Sequence, residues 1–406
     1  MAGKRVGIWL IGAKGGVATT AMVGLTALRK GLIGDAGLVS QLPLFKSLDL
    51  ADWKTVIIGG HDIRDARLFD EAMRMHTESR AIDPEILSRC KADLEKIEAD
   101  LRMGTIANVG PTIEHLASPK VRGVKETAKA AIERLQADLR GFIEKHKLAH
   151  LVVVNVASTE PSVERDSLPK AWADLEKLLG DRACPLPTSS LYAIAALELG
   201  CSYINFTPSL GSTPAAIDEL ARQRQTRHMG YDGKTGETLL KSTLAPMFAE
   251  RNLQVMSWVG HNIFGNMDGR VLDDPANKKS KVTSKDRLLK QILGYSPQTL
   301  VTIEYIASMG DWKTAWDHVH FKGFLGTPMT FQFTWQGCDS LLAAPLVLDL
   351  VRFTERAWRN GDIGTLRFLS SFFKSPLGVE ENDFGRQFQQ LEAWAASVAG
   401  APRARR

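Results

Sequence analysis

Cysteine is scarce in this chain of 406 residues: there are four, Cys90, Cys184, Cys201 and Cys338, with no CxxC or Cys/His spacing among them. That scatter argues against a disulfide framework and a zinc site and predicts reduced thiols. Long apolar runs are also missing. LVVVNVA and LLAAPLVLDLV fall short of, or interrupt, the roughly 18–20 apolar residues that a bilayer span needs. At the N-terminus, MAGKRVGIWLIGAKGG leads straight into a core-like strand rather than a charged, then apolar, cleavable leader, so a cytoplasmic protein without a membrane partner is expected. Neither sign of charge dominates: 51 basic against 46 acidic residues leave +5. The basic residues are dispersed, without an aromatic-interleaved patch, which argues against a nucleic-acid partner. The small excess suits an anionic metabolite. No internal repeat or low-complexity stretch is present, and 44% hydrophobic residues supply cores for two or three domains.

What is present first is an alternation of strands and helices. RVGIWLI (5–11) breaks into GAKGGVATT and then a helical pattern. TVIIGG (55–60) and HLVVVNVAS (150–158) are continuous apolar runs of the kind buried parallel strands show. Between them, 85–101 places Ile86, Cys90, Leu94, Ile97 and Leu101 on one helical face, and 124–146 repeats the pattern. A helix at 188–199 leads to the strand SYINF. This predicts a doubly wound α/β domain. After residue 232 the character changes. TLVTIEYI (299–306) and PMTFQFTW (328–335) are β-branched and aromatic, and Phe331, Phe333 and Trp335 alternate with Thr330, Gln332 and Thr334. That predicts a sheet with one covered face. From 340 onward, SLLAAPLVLDLVRFTERAW, GTLRFLSSFFK and FGRQFQQLEAWAASV all read as helices.

Two stretches point to chemistry. The loop Gly12–Thr20 follows the first strand and opens a helix, where glycines let backbone approach a pyrophosphate and free N–H groups attract it. Gly12, Gly15, Gly16, Val17, Ala18 and Thr19 are therefore candidate dinucleotide contacts, although the spacing is not GxGxxG. Asp62, in GGHDIRD, is the candidate ribose-binding acid, with a helix cap as its alternative role. The second stretch, YDGKTGETLLK (231–241), gathers carboxylates, lysines, hydroxyls and glycines at a change of composition, where clefts form.

The blocks YDGKTGETLLKSTLAPMF, GHNIFGNMDG, SKVTSKD, GDWKTAWD, CDSLLAAPLVLDL and FFKSPLG occur in this order, together with GAKGGVATT, GGHDIR, NVAST and SYINFTPS. By these blocks the chain resembles the myo-inositol-1-phosphate synthase (L-myo-inositol-3-phosphate synthase) family in its compact prokaryotic form. The resemblance covers nearly the whole sequence. It implies NAD-dependent conversion of D-glucose 6-phosphate to 1D-myo-inositol 3-phosphate by C5 oxidation, C6 enolisation, aldol closure and re-reduction. It also implies a homotetramer, and a Rossmann-type domain (1–238) completed by C-terminal helices (343–406) around an inserted α+β catalytic and oligomerisation domain (239–342). Active-site lysines fall on Lys281, Lys285, Lys313 and Lys374, with Lys285 and Lys313 toward the phosphate and Lys281 and Lys374 toward the reacting carbons. Functional aspartates fall on Asp232, Asp268 and Asp339, and NVAST adds Ala157 and Ser158 to the cofactor side. Substrate contacts fall on Thr235, Gly236, Glu237, Asn266 and Leu272. A divalent or monovalent cation is compatible with the family, with Asp268 the residue nearest to it. Tyr231 and Lys14 depart from the family pattern at cofactor-side positions.

The rival expectation is a dehydrogenase, or a cyclase acting on another sugar phosphate, which would share the glycine loop and most of the lysines. A non-catalytic NAD-binding regulator or nucleic-acid-binding protein is a third, suggested only by the basic balance.

Overall fold

The computed structural model describes residues 4–266 and 288–399. Six parallel strands form first: β1 (Val6–Ile11), β2 (Val56–Asp62), β3 (Leu101–Met103), β4 (His150–Asn155), β5 (Ser202–Asn205) and β6 (Arg227–Gly230). The chain then leaves for a second sheet of β7 (Gln254–Phe264), β8 (Gln298–Tyr305), β9 (Trp312–Lys322) and β10 (Pro328–Cys338), and returns with β11 (Gly364–Thr365). In the first sheet the order is β11-β6-β5-β4-β1-β2-β3, the doubly wound Rossmann-type order extended by one strand. Its strand order reverses between β1 and β4, and in sheets of this kind ligands bind outside the strands' C-terminal ends at that point.

Alternation sends successive side chains of β1 into two cores. Ile8 and Leu10 join Met22, Val152, Val347 and Phe353 on one side; Trp9 and Ile11 join Leu135, Leu139, Val153 and Leu191 on the other. Helices Gly16–Arg29 and Asp339–Asn360 supply the first core, and Ala128–His146 and Thr188–Glu198 the second. The continuous apolar reading of these strands therefore reflects burial on both faces.

In the second sheet the order is β10-β9-β7-β8, with β7 and β8 parallel and the other pairs antiparallel. Helix Gly236–Glu250 covers one face, where Phe248 packs with Trp258, Val319, Phe331 and Phe333. The opposite face is open: Thr330, Gln332 and Thr334 are exposed, as are Trp316 and Leu300. The expected period of two in FQFTW is present.

The expectation of a helix in GTLRFLSSFFK is corrected. Gly364 and Thr365 form β11, because the N–H groups of Gly364 and Leu366 bond the carbonyls of Thr226 and His228 and complete the sheet edge. A 3-10 turn, Arg367–Phe372, follows, and Lys374 lies in a bend beyond it rather than closing a helix. Leu101, placed on a helical face above, instead opens β3. All four cysteines are free; Cys184 is only partly buried. Among the described residues, no helix is long and apolar enough to cross a membrane.

Candidate active site

The glycine loop is set by its backbone. Gly12 has φ +81°, and a Cβ there would lie 2.7 Å from the Cα of Ala157 on the neighbouring β4 turn, so a side chain is strained on both counts. The N–H groups of Gly12 and Ala13 bond the carbonyl of His61, and that of Gly15 bonds Gly12. Helix Gly16–Arg29 then begins without a side-chain cap and without an acidic residue in its first turn. Uncapped first-turn N–H groups at a helix N-terminus attract an anion. Ala18 and Thr19 have buried side chains, and the Thr19 N–H is taken by the Gly15 carbonyl, so of the two only the Ala18 backbone faces the helix start.

Asp62 ends β2 and holds this loop: its carboxylate accepts from Lys14 N at 2.6 Å and from Arg64 N at 2.8 Å. Arg64 donates in turn to the Lys14 carbonyl. The Lys14 ammonium points away, 4.0 Å from Glu98. Ala157 and Ser158 follow β4, with Ala157 N donating to Asn155 Oδ1.

The second sheet reaches the same loop. A Cβ on Gly16 would lie 2.6 Å from Ser340 Oγ and 3.8 Å from Asp311 Oδ1. Ser340 sits in the first turn of Asp339–Asn360, so the N-termini of two long helices converge on the glycine loop. Asp311, buried, accepts from Ser340 N and Ser340 Oγ, both at 3.0 Å, and from Cys338 Sγ at 2.8 Å. Burial pushes its carboxyl pKa up, against the lowering effect of those donors. Asn266 lies 3.5 Å from the same carboxylate, the N–H group of Asp339 bonds the carbonyl of Asp311, and Ser79 Oγ accepts from Asp311 N. Two residues on from Asp311, Lys313 of β9 lies over the Phe264 ring at 5.3 Å, opposite Gly337 of β10.

Asp232 and Lys374 form the third part. Lys374 Nζ donates to Asp232 Oδ1 at 2.8 Å, and Lys374 N donates to the Asp232 carbonyl at 2.7 Å. Asp232 has φ +63°, and its N–H bonds the Thr207 carbonyl, which fixes the turn at the end of β6. Tyr231 lies under the Arg165 guanidinium at 4.8 Å. Thr235 and Gly236 open helix Gly236–Glu250, again without a side-chain cap.

Glu237 is placed differently from the expectation. Its side chain is buried and paired with Lys241 at 2.6 Å, because the helix turns it under the second sheet rather than toward an open face. Asp268, Leu272, Lys281 and Lys285 lie outside the described residues. Sequence reasoning missed Asp311 and Ser340, although GDWK and CDSLL contain them; the signal was there, but the contact between the two motifs is tertiary. Among the described residues, no group of three or more His, Cys, Asp or Glu is placed to hold a metal ion.

An NAD-binding family model described as myo-inositol-1-phosphate synthase matches residues 6–396. Inositol-3-phosphate synthase 1 of Bacteroides thetaiotaomicron is 32% identical, over 98% of this chain and 96% of its own. Among solved structures, inositol-3-phosphate synthase of Caenorhabditis elegans superposes with TM-score 0.85 at 25% identity, covering 98% of this chain and 86% of that one. A myo-inositol-1-phosphate synthase-related protein of Thermotoga maritima gives 0.78 at 25%, covering 97% and 98%.

Proposed function

This chain belongs to the myo-inositol-1-phosphate synthase family, and from that premise we propose how its residues carry out the NAD-dependent conversion of glucose 6-phosphate to inositol 3-phosphate, an isomerisation. One observation carries the assignment: the uncapped helix at the glycine loop and the strand bearing Lys313 meet through Gly16, Ser340 and Asp311, so dinucleotide and lysine chemistry share one crevice.

The cofactor fits what is there. The Gly12 conformation, the close approach of Gly16 to Ser340 and the free first-turn N–H groups suit a pyrophosphate, and Gly15, Gly16 and Val17 would hold it. Asp62, Ala157 and Ser158 border the same crevice at the ends of β2 and β4. NAD, when bound, supplies a hydride acceptor that can return the hydride to the carbon it left.

The remaining chemistry falls to side chains. Lys374, held by Asp232, is placed to exchange a proton with a sugar hydroxyl, the carboxylate keeping its ammonium oriented. Lys313 offers a fixed charge where an oxyanion or the phosphate sits, together with Lys281, Lys285 and Asp268 from outside the described residues. Thr235 and Gly236 present free N–H groups of a second helix N-terminus to the substrate. Residues 1–238 and 343–406 form the cofactor unit, 239–342 the catalytic one, and the open face of the second sheet is the contact surface of a homotetramer in the cytoplasm.

Incubation with glucose 6-phosphate and a trace of NAD⁺, followed by phosphorus NMR, tests the proposal. Inositol 3-phosphate should form over many turnovers without NADH accumulating; stoichiometric NADH would establish the dehydrogenase instead.

A further inference from the structure

Three charged side chains lie sealed beneath the second sheet, among them Glu237, which the resemblance had set against the substrate. Lys241 Nζ is 2.6 Å from Glu237 Oε1 and 3.7 Å from Asp317 Oδ1, and all three side chains are at most 2% exposed. Trp258 Nε1 donates to Asp317 Oδ1 at 2.7 Å, and the Lys241 ammonium lies 5.7 Å from the Trp258 ring. Gly260 of β7 forms the floor: a Cβ there would sit 2.6 Å from Glu237 Oε1 and 3.1 Å from Asp317 Oδ1. Both carboxylates thus crowd one point, reached because that residue is glycine.

Stability alone is a poor reason for this cluster. Removing three charges from water is costly, and apolar residues of similar volume often do as well or better in such places. What the charges add is fixed geometry, because a hydrogen-bonded lysine accepts one arrangement where an apolar contact accepts several. The elements joined are the ones that matter. Glu237 directly follows Thr235 and Gly236 in the first turn of its helix. Asp317 lies on the same face of β9 as Lys313, four residues on. Trp258 and Gly260 are on β7, the strand that leads to Asn266.

Resting on the function proposed above, we infer that Lys241 is a positioning residue for the cyclisation. By gripping Glu237 with one side of its ammonium and Asp317 with the other, it sets the spacing between the Thr235–Gly236 turn and the strand that presents Lys313. Ring closure needs both ends of one sugar phosphate held at once, and a shift of about 1 Å at a remote support can cost on the order of 10²-fold in rate. The ion-paired Glu237 is then a support for the substrate turn rather than a contact to substrate.

The experiment is steady-state kinetics on the NAD-loaded enzyme with glucose 6-phosphate, alongside thermal unfolding. Lys241→Met should lower kcat by about 10²-fold and shift KM by no more than about threefold. Lys241→Arg, which keeps the charge, should recover most of that loss. Adding Glu237→Gln to Lys241→Met should cost little more, since both break one linkage. Gly260→Ala keeps every charge but crowds the cluster, and should give the same kcat-dominated loss if Lys241→Met folds poorly. Phe248→Leu is the control, loosening the same helix on the same sheet without touching a charge. Full kcat in Lys241→Met overturns the inference, as does an equal kcat loss in Phe248→Leu at matched loss of Tm. A wild type that does not cyclise glucose 6-phosphate overturns the proposed function and this inference together. A wild type that does, beside a fully active Lys241→Met, overturns the inference alone.

Discussion

In the proposed site the two sheets contribute by different means. The seven-stranded sheet is apolar on both faces, and what it offers a ligand is mostly backbone: the left-handed Gly12, the uncapped start of helix Gly16–Arg29 and the turns after β4 and β6. The four-stranded sheet is covered on only one face, and in the proposed site it would offer side chains: Lys313 on β9, with Glu237, Lys241 and Asp317 as an ion-paired support. A backbone cradle tolerates side-chain change but fails when a Cβ intrudes. A side-chain site is the reverse: it tolerates backbone jostling poorly and is erased by one truncation. The division suits a reaction in which a common cofactor needs a generic pyrophosphate seat and a particular substrate needs charges at particular atoms.

The sharpest way to break this contrast is to truncate one side chain of the second sheet. Lys313→Ala should lower kcat by about 10²–10³-fold, ~2.7–4 kcal/mol of transition-state stabilisation, while NAD affinity by calorimetry stays that of the wild type. Loss of NAD binding in that variant would show that the division is false.

A buried carboxyl beyond the end of β4 comes next. Glu160, behind the β4 turn, accepts from Ser189 N and Ser189 Oγ, and burial raises its carboxyl pKa to about 7. Its folded value lies above the unfolded one of 4.5, so the folded state binds the extra proton. Stability should therefore fall as pH rises from about 4.5 to about 7 and be level, for this group, above that. The loss is on the order of 3 kcal/mol. Glu160→Gln should flatten that part of a denaturant-midpoint profile against pH; an unchanged slope would show that Glu160 does not titrate there.

Intrusion into the backbone cradle is the converse of the lysine truncation. Gly16→Val would drive a side chain onto Ser340 and should weaken NAD binding by at least about tenfold, ~1.4 kcal/mol, with the second sheet's thermal transition kept. Wild-type NAD affinity in that variant would leave the loop a structural turn.

The smallest expected change in stability is on the open face. Trp316→Lys sits on exposed sheet, where substitutions usually move stability by within about 0.5 kcal/mol. The same variant should nevertheless lower the assembly state seen by sedimentation if this face joins subunits. A wild type that sediments as a monomer would refute the tetramer.

The fold was legible in proportion to how local its causes were. A run such as LVVVNVA declares a strand buried on both faces, and the alternation of Phe331, Phe333 and Trp335 with polar residues declares a sheet covered on one, because each pattern repeats the geometry of its own element. The GTLRFLSSFFK stretch misled for the same reason. Its apolar content fits a helix, but the unpaired edge of β6 captures Gly364 and Leu366, and no local pattern announces a distant edge.

The sequence by itself determined the parallel strands, the glycine turn that opens the first helix and the family to which the motifs belong, since short-range periodicity, glycine placement and motif order are properties of the chain before it folds. Tertiary structure alone decided that Ser340 and Asp311 would close against Gly16, that Asp232 would hold Lys374, and that Glu237 would turn inward to Lys241 and Asp317. Apart from Glu237 and Lys241, which sit one turn apart on the same helix, those partners lie far apart along the chain. A carboxylate accepts from whichever donor the packing brings within about 3 Å, and only the folded arrangement of the two sheets sets that distance.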